Sequence, residues 1–382
     1  MLYIVYNRLA MKKELSSVEV KYLADEFQQL IDSKIDKIYQ PGKKDLLLSF
    51  HVPRIGKKML RIVLPGFIWL TETKPEMPTN IHGFCSTLRK YLSNARLRKI
   101  EQINSERILK LEFETKDVKY DIIVELFGKG NIILCQKNKI ILPLSVQKWK
   151  DRTIKKGEIY TPPSKEHNPF TISAAKFKTL INTSTDTISK TLAVQLGIGG
   201  TYAVELCLKT NIKKTAKKID EQDIKKLYKH LSTLLRQKIE PVVVFEKNKT
   251  INITPFKLET YSKNRQEQFE TYSQALDSVL SKGARQKKQS KAEEKLAKKL
   301  EKIEKRIELQ QKSLKDQEQK SKENQKKGEK IYEKYQELKT LFAEIKNMRK
   351  IMPWKEIKEK LKTVKYIKQI TEKTGEIILE IK

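Results

Sequence analysis

The stretch that decides the fold runs from His82 to Cys135. It opens with Phe84-Cys85-Ser86-Thr87-Leu88-Arg89-Lys90-Tyr91-Leu92, then Asn94-Ala95-Arg96. Ser105-Glu106-Arg107-Ile108-Leu109-Lys110-Leu111-Glu112-Phe113 follows, and Glu125-Leu126-Phe127-Gly128-Lys129-Gly130-Asn131-Ile132-Ile133-Leu134-Cys135 closes it. Phe84 to Ala95 reads as a helix, which sets Arg89 and Arg96 about two turns apart beside Lys90. From Arg107 to about Leu144 the period drops to two. Leu109, Leu111 and Phe113 share one face, and Arg107 shares their parity, pointing to the apolar side or the sheet rim. A helix set between alternating segments of this kind predicts an α+β domain with antiparallel strands and few crossover helices.

Upstream, Ser16 or Ser17 caps a helix whose apolar face is Val20, Leu23, Phe27, Leu30 and Ile31. Strands follow at Ile38-Tyr39, Leu46 to Phe50, Met59 to Leu64 and Phe67 to Leu70, separated by Pro, Gly and Lys. Downstream, Thr161-Pro162-Pro163-Ser164 to Asn168-Pro169 interrupts both periods and marks a boundary. Helical periodicity resumes from Ala174 to His230. Pro241 to Phe245 and Ile251 to Phe256 then suggest a return to the first sheet. The resulting division is 1–163, 171–240, 241–284, 285–348 and 349–382. From Leu296 through Leu300, Ile303, Ile307 and Leu314 to Ile331, Tyr335, Leu338, Phe342 and Ile345, seam positions step alternately by four and three. That is a heptad register without a stutter, giving a coiled-coil rod on the order of 75 Å long. Its polar middle, Gln317 to Gly328, is weak, and the seam needs a partner helix.

The 382 residues carry a formal net charge of +33. Such an excess favours a polyanionic partner, and by itself does not separate RNA from DNA or an anionic membrane. Cys85, Cys135 and Cys207 form no Cys-x-x-Cys pair, and the four histidines are scattered, so no metal-ligand spacing exists. The cysteines read as small buried apolar residues in a reducing cytosol. No apolar run is long enough to span a bilayer, and Met1 to Tyr6 is too short for a secretory core. Residues 1–10 read as a short extension, or an upstream start, ahead of Met11. No Ser-His-Asp, Cys-His or paired-carboxylate arrangement is present, which predicts a cytoplasmic protein that is not an enzyme and uses no cofactor.

The ordered set between His82 and Cys135 resembles the N-terminal domain of the NFACT proteins of the NEMF/RqcH type, also labelled fibronectin-binding protein A, in an archaeal-like form. The Pro-Val-Val-Val and Thr-Pro-Phe segments agree in order. This resemblance implies ribosome quality control: recognition of an obstructed large subunit with its rRNA and peptidyl-tRNA, and recruitment of tRNA, often for alanine, for C-terminal tailing. It also implies that the rod's partner is a second helix returning after a middle domain. Here Ile377 to Ile381 looks like the opening of that domain. The expectation is therefore a fragment, a separate chain that supplies the rest, or a rod that pairs with another copy.

Residue by residue, the resemblance assigns tRNA holding to Arg107 with Glu106, and to Glu19 in the first helix, each glutamate standing where the family carries aspartate. Read from the strand alone, Arg107 is either a phosphate contact or a structural ion pair. Arg89, Lys90 and Arg96 suit phosphate positioning, or form a solvated helix face. Leu196-Gly197-Ile198-Gly199-Gly200-Thr201 resembles the hairpin of a helix-hairpin-helix module inserted in the first domain. There Gly197, Gly199 and Gly200 allow close approach of a phosphate, and Thr201 is expected to cap the following helix. Trp149, within Gln147-Lys148-Trp149-Lys150-Asp151-Arg152, is read as packing, with base stacking the alternative. Trp69 and Trp354 are read as packing. A distant likeness to formamidopyrimidine-type DNA glycosylases lacks its nucleophile, since Leu2 follows Met1 and Lys12 follows Met11. The remaining alternative is a coiled-coil scaffold or adhesion-type protein without a specific RNA role.

Overall fold

The computed structural model describes residues 12–78, 80–116 and 118–381, the side chains of 282–298 excepted. The opening segment with Met1, Leu2 and Met11, and the side chain of seam position Leu296, lie outside that description. Contacts divide the chain into two units, 1–286 and 287–382.

In the first unit, α1 (Ser17–Glu26) starts at Ser16, whose hydroxyl accepts from the Glu19 amide while the Glu19 carboxylate accepts from the Ser16 amide at 2.7 Å. That reciprocal pair satisfies two first-turn donors. A nine-stranded antiparallel sheet follows, built from β1 (Lys34–Gly42), β2 (Asp45–Val52), β3 (Gly56–Val63), β4 (Phe67–Thr71), β5 (Arg96–Gln102), β6 (Ile108–Glu114), β7 (Lys119–Glu125), β8 (Asn131–Gln136) and β9 (Lys139–Pro143). Its order is β4-β3-β2-β1-β5-β6-β7-β8-β9: two meanders joined where Lys34 faces Arg96. Helix α2 (Gly83–Leu92) links them.

The alternation read from sequence sorts the two faces. Leu109, Leu111, Phe113, Ile122, Val124, Ile132 and Leu134 face the main core with Val20 and Leu23 of α1 and Phe27 just after it. Ile108, Ile123, Ile133 and Cys135 point the other way, into a smaller cluster closed by Ile154 and Tyr160. Both faces are buried at that end, which explains the near-continuous apolar runs in β7 and β8. The chain covering the second face forms a short hairpin, β10 (Gln147–Lys148) with β11 (Thr153–Ile154). All three cysteines are buried and unbridged.

The helical insert comprises α3 (Ala174–Thr183), the single turn α4 (Ile188–Lys190) continued by a π-helical stretch to Gln195, α5 (Gly200–Lys209) and α6 (Glu221–Leu235). Its core of Phe177, Leu192, Tyr202, Leu206, Leu227 and Leu231 also takes Val18 of α1 and Phe256. Helix α1 is therefore wedged between two cores, with Val18 on one side and Val20 on the other.

The expected return to the first sheet is corrected. β12 (Val242–Glu246), β13 (Lys249–Thr254) and β14 (Arg265–Gln268) hydrogen-bond among themselves in the order β13-β12-β14. Val243 and Ile253 enter the main core, and half-buried Phe245 packs against it. The other face, Val242, Val244 and Ile251, closes a small cluster against Tyr261. The long helix α7 (Tyr272–Glu333) also begins earlier than periodicity suggested, because its first turns are core: Tyr272, Ala275 and Leu276 are buried, and Asp277 accepts from Trp69 Nε1 at 2.9 Å and Thr71 Oγ1 at 2.6 Å.

In the second unit, the unbroken register is interrupted at Lys334 (φ −101°, ψ 17°), after which α8 (Tyr335–Ile351) begins. α9 (Trp354–Lys360) and the hairpin of β15 (Ile367–Thr371) with β16 (Glu376–Leu379) complete a core of Leu341, Ile345, Ile357, Leu361 and Ile370. Along α7, Leu300, Ile303, Ile307, Leu314 and Ile331 stay exposed. Of the seam, Leu338 and Ile345 are buried.

Candidate nucleic-acid interface

Because α1 is shared by two cores, its N-terminus is held against the N-terminus of α5. A cleft of about 670 Å³ opens there, lined by Lys12 to Ser17, Glu19, Glu106, Arg107, Lys165, the turn into α5, Asn252 of β13, and Tyr261 from the turn between β13 and β14. Gly199 is the N-cap of α5, at φ 87° and ψ 156°. A Cβ on it would stand 3.0 Å from the Ser16 Cβ, so only glycine lets the two helix starts meet. Thr201, expected as the cap, instead lies inside the first turn. No side chain caps α5. Its leading amides therefore keep their donors toward the cleft, with the positive end of the helix dipole behind them.

Three cation–carboxylate pairs line the cleft, at different depths. Lys12 is paired with Glu19 and also donates to the Ile253 carbonyl at 2.6 Å. Burial pushes the Lys12 ammonium below its ordinary value, and Glu19 opposes that shift. Tyr202 donates to Glu19 at 2.9 Å, and burial, then Glu19, raise the phenol well above its usual value. Glu19 is thus fully engaged inside the protein: helix cap, Lys12 and Tyr202. Lys165, nine-tenths buried, donates to the Ser105 carbonyl at 3.1 Å and lies 3.4 Å from Glu106. The third pair, Arg107 with Glu14 at 2.6 Å, is the open one, with a quarter of the arginine side chain and half of the glutamate exposed. An ion pair in contact with water costs little to exchange, so Arg107 can trade Glu14 for an incoming phosphate.

Pleat geometry alone sends Glu106 and Arg107 to opposite faces. The structure brings both into the cleft because β6 starts only at Ile108, and Asn104 and Ser105 turn the chain at φ 51° and 52°. Of the residues read from sequence, Glu19, Glu106, Arg107, Gly197, Gly199, Gly200 and Thr201 meet here. Arg89, Lys90 and Arg96 do not. Arg89 donates twice to the Ile38 carbonyl, at 2.9 and 2.6 Å, securing α2 to β1. Lys90 is exposed on α2. Arg96 is corrected from helix to strand: Asn94 at φ 58° ends the helical region, and Arg96 begins β5, donating to the Asp32 carbonyl at 2.6 Å.

Lys12, Glu14, Lys165, Asn252 and Tyr261 were not read as site residues. Lys12 and Glu14 precede the first periodic segment, and Lys165 lies in the proline-rich boundary, where neither period gives a signal. Trp149 is also corrected. It is 42% exposed, because the turn at 149–152 lifts it off the sheet.

A wide antiparallel sheet with a helical insert packed on its first helix defines an α+β class that solved structures share. The N-terminal part of the fibronectin/fibrinogen-binding protein from Streptococcus suis superposes with a TM-score of 0.57 at 26% identity, over 70% of this chain and 100% of that one. The family model described as NFACT N-terminal and middle domains matches residues 16–376, and this chain belongs to that family. Archaeal Rqc2 homolog aRqcH of Methanocaldococcus jannaschii is 34% identical over 290 residues, 71% of this chain and 43% of that protein. Ribosome quality control complex subunit 2 of Saccharomyces cerevisiae is 32% identical over 154 residues, 39% of this chain and 14% of that protein. The chain thus spans less than half the length of these curated relatives.

Proposed function

We propose that this chain is the tRNA-gripping part of a cytoplasmic, non-enzymatic ribosome quality-control factor. It binds obstructed large ribosomal subunits that carry peptidyl-tRNA, and recruits tRNA for C-terminal tailing, with peptide bonds made by the ribosome. The observation that carries this reading is the exchangeable Arg107–Glu14 pair, which shares one cleft with the uncapped N-terminus of α5. A phosphate entering there meets a guanidinium and a set of amide donors, both fixed in advance. Glu19 and Lys165 serve by position, Glu19 locking α1 to α5 and Lys165 holding the turn before Arg107. The glycine turn acts as the hairpin of a helix-hairpin-helix element, and the exposed stripe on α7 takes a partner helix as a coiled coil. Family membership supports the ribosomal setting, and the +33 charge supports a polyanionic partner.

UV crosslinking in the native cell, followed by sequencing of bound RNA, tests the reading. Wild type should enrich tRNA together with large-subunit rRNA, and Arg107→Ala should lose the tRNA. Scattered RNA unchanged by the substitution would leave the coiled-coil scaffold reading in its place.

A further inference from the structure

Outside the cleft, the turn that joins β10 to β11 carries an aromatic ring that no core claims. Trp149 is 42% exposed, and its amide donates to the Arg152 carbonyl at 2.9 Å. The Arg152 guanidinium lies over the indole, 4.4 Å from its centroid, and 5.6 Å from the Phe127 ring. Arg152 is held in turn by Glu125, with bonds of 2.6 and 3.2 Å to its two oxygens, and Tyr160 donates to the same carboxylate at 3.0 Å. Glu125 is only 1% exposed. A buried carboxylate therefore fixes a guanidinium, and the guanidinium fixes the ring.

Exposed Lys148 and Lys150 adjoin Trp149 in the chain, and exposed Lys155 and Lys156 follow β11, against exposed Asp151 and Glu158. A tryptophan in a turn gains little for folding by facing water. A rigid indole among lysines is, in contrast, what an unpaired base and its phosphates need. Stacking on a ring already held in place orders no further side chain. None of these residues lines the cleft.

We infer that Trp149 is a stacking platform for a base of single-stranded RNA, with Arg152 backing the ring and the neighbouring lysines tracking the backbone. The site is separate from the Arg107 cleft and binds without it. Base-paired RNA hides its base faces and is not a ligand by this mode.

The test uses the full chain, titrated at fixed salt with a single-stranded RNA of about 12 nucleotides and with the same RNA as a duplex. The part of the indole quench that disappears in Trp149→Phe reports stacking, because Trp69 is buried and Trp354 is half-buried in the second unit. The single strand should quench the emission, Trp149→Ala should bind it about tenfold more weakly, and Trp149→Phe should recover most of the loss. The cleft lining holds no tryptophan, so RNA bound there does not quench this emission, and a failed cleft does not mimic a failed platform. Unquenched emission, equal affinity in Trp149→Ala, or an equal response to duplex would each overturn the assignment. A protein-docking turn would give the first of these.

Discussion

Lys165 shows how one side chain sets the geometry of another. It reaches from the boundary segment to the Ser105 carbonyl and Glu106, and occupies space that a side chain on Gly197 would need: a Cβ there would stand 2.5 Å from its Nζ. Burial pushes its ammonium below the ordinary 10.5, with Glu106 opposing. Between its folded pKa and 10.5 the unfolded chain binds more protons, so the Lys165 contribution to stability rises with pH across that window. Urea midpoints of wild type and Lys165→Met, compared from about pH 8 to about pH 10, should diverge in favour of wild type. A pH-independent difference would mean that Lys165 titrates alike in both states. The substitution should also weaken tRNA retention while leaving Arg107 in the sequence, since the turn that aims Arg107 loses its tether.

At the scale of elements, the site depends on two helix starts meeting. Helix α1 is fixed by its reciprocal Ser16–Glu19 cap, and α5 by Glu205, a buried carboxylate accepting from the Glu259 and Thr260 amides at 2.9 Å each. Gly199 is the hinge of this arrangement. Its φ and ψ lie where essentially only glycine is stable, so Gly199→Ala should cost about 1–3 kcal/mol in a denaturant titration. It should also separate the helix starts and weaken tRNA binding. Gly200→Ala is the matched control: a Cβ there meets nothing within 4 Å, and stability should hardly change. Element types were legible before the structure because periods of 2 and 3.6 are local properties. The sheet to which β12 and β13 belong was not, since any apolar alternation satisfies more than one partner edge. Nor was the start of α7, whose first turns pack as core and carry no solvent-facing stripe.

At the scale of the molecule, the cleft lies wholly within the first unit, which has its own large core. From Lys299 to Glu333 the side chains of α7 are exposed, so that stretch of helix rests on intrinsic propensity and side-chain pairs such as Lys305–Glu301. Limited trypsinolysis should cut first between these residues, and the N-terminal fragment should keep Arg107-dependent tRNA binding. Loss of binding on that cut would place part of the grip beyond the cleft.

The sequence by itself determined the α+β class, the antiparallel strands, a helix start at Ser16 or Ser17, the buried cysteines and the family, all of which follow from local periodicity, capping chemistry and ordered motifs. Only the tertiary structure decided which charged residues act together. It joined Glu19, Arg107 and the Gly197–Thr201 turn across long stretches of chain, and gave Arg89 and Arg96 to backbone carbonyls in and just before β1. It also lifted Trp149 into solvent. The physical reason is that a charge's partners are set by burial and by non-local packing of α1 between two cores, and neither leaves a period in the sequence.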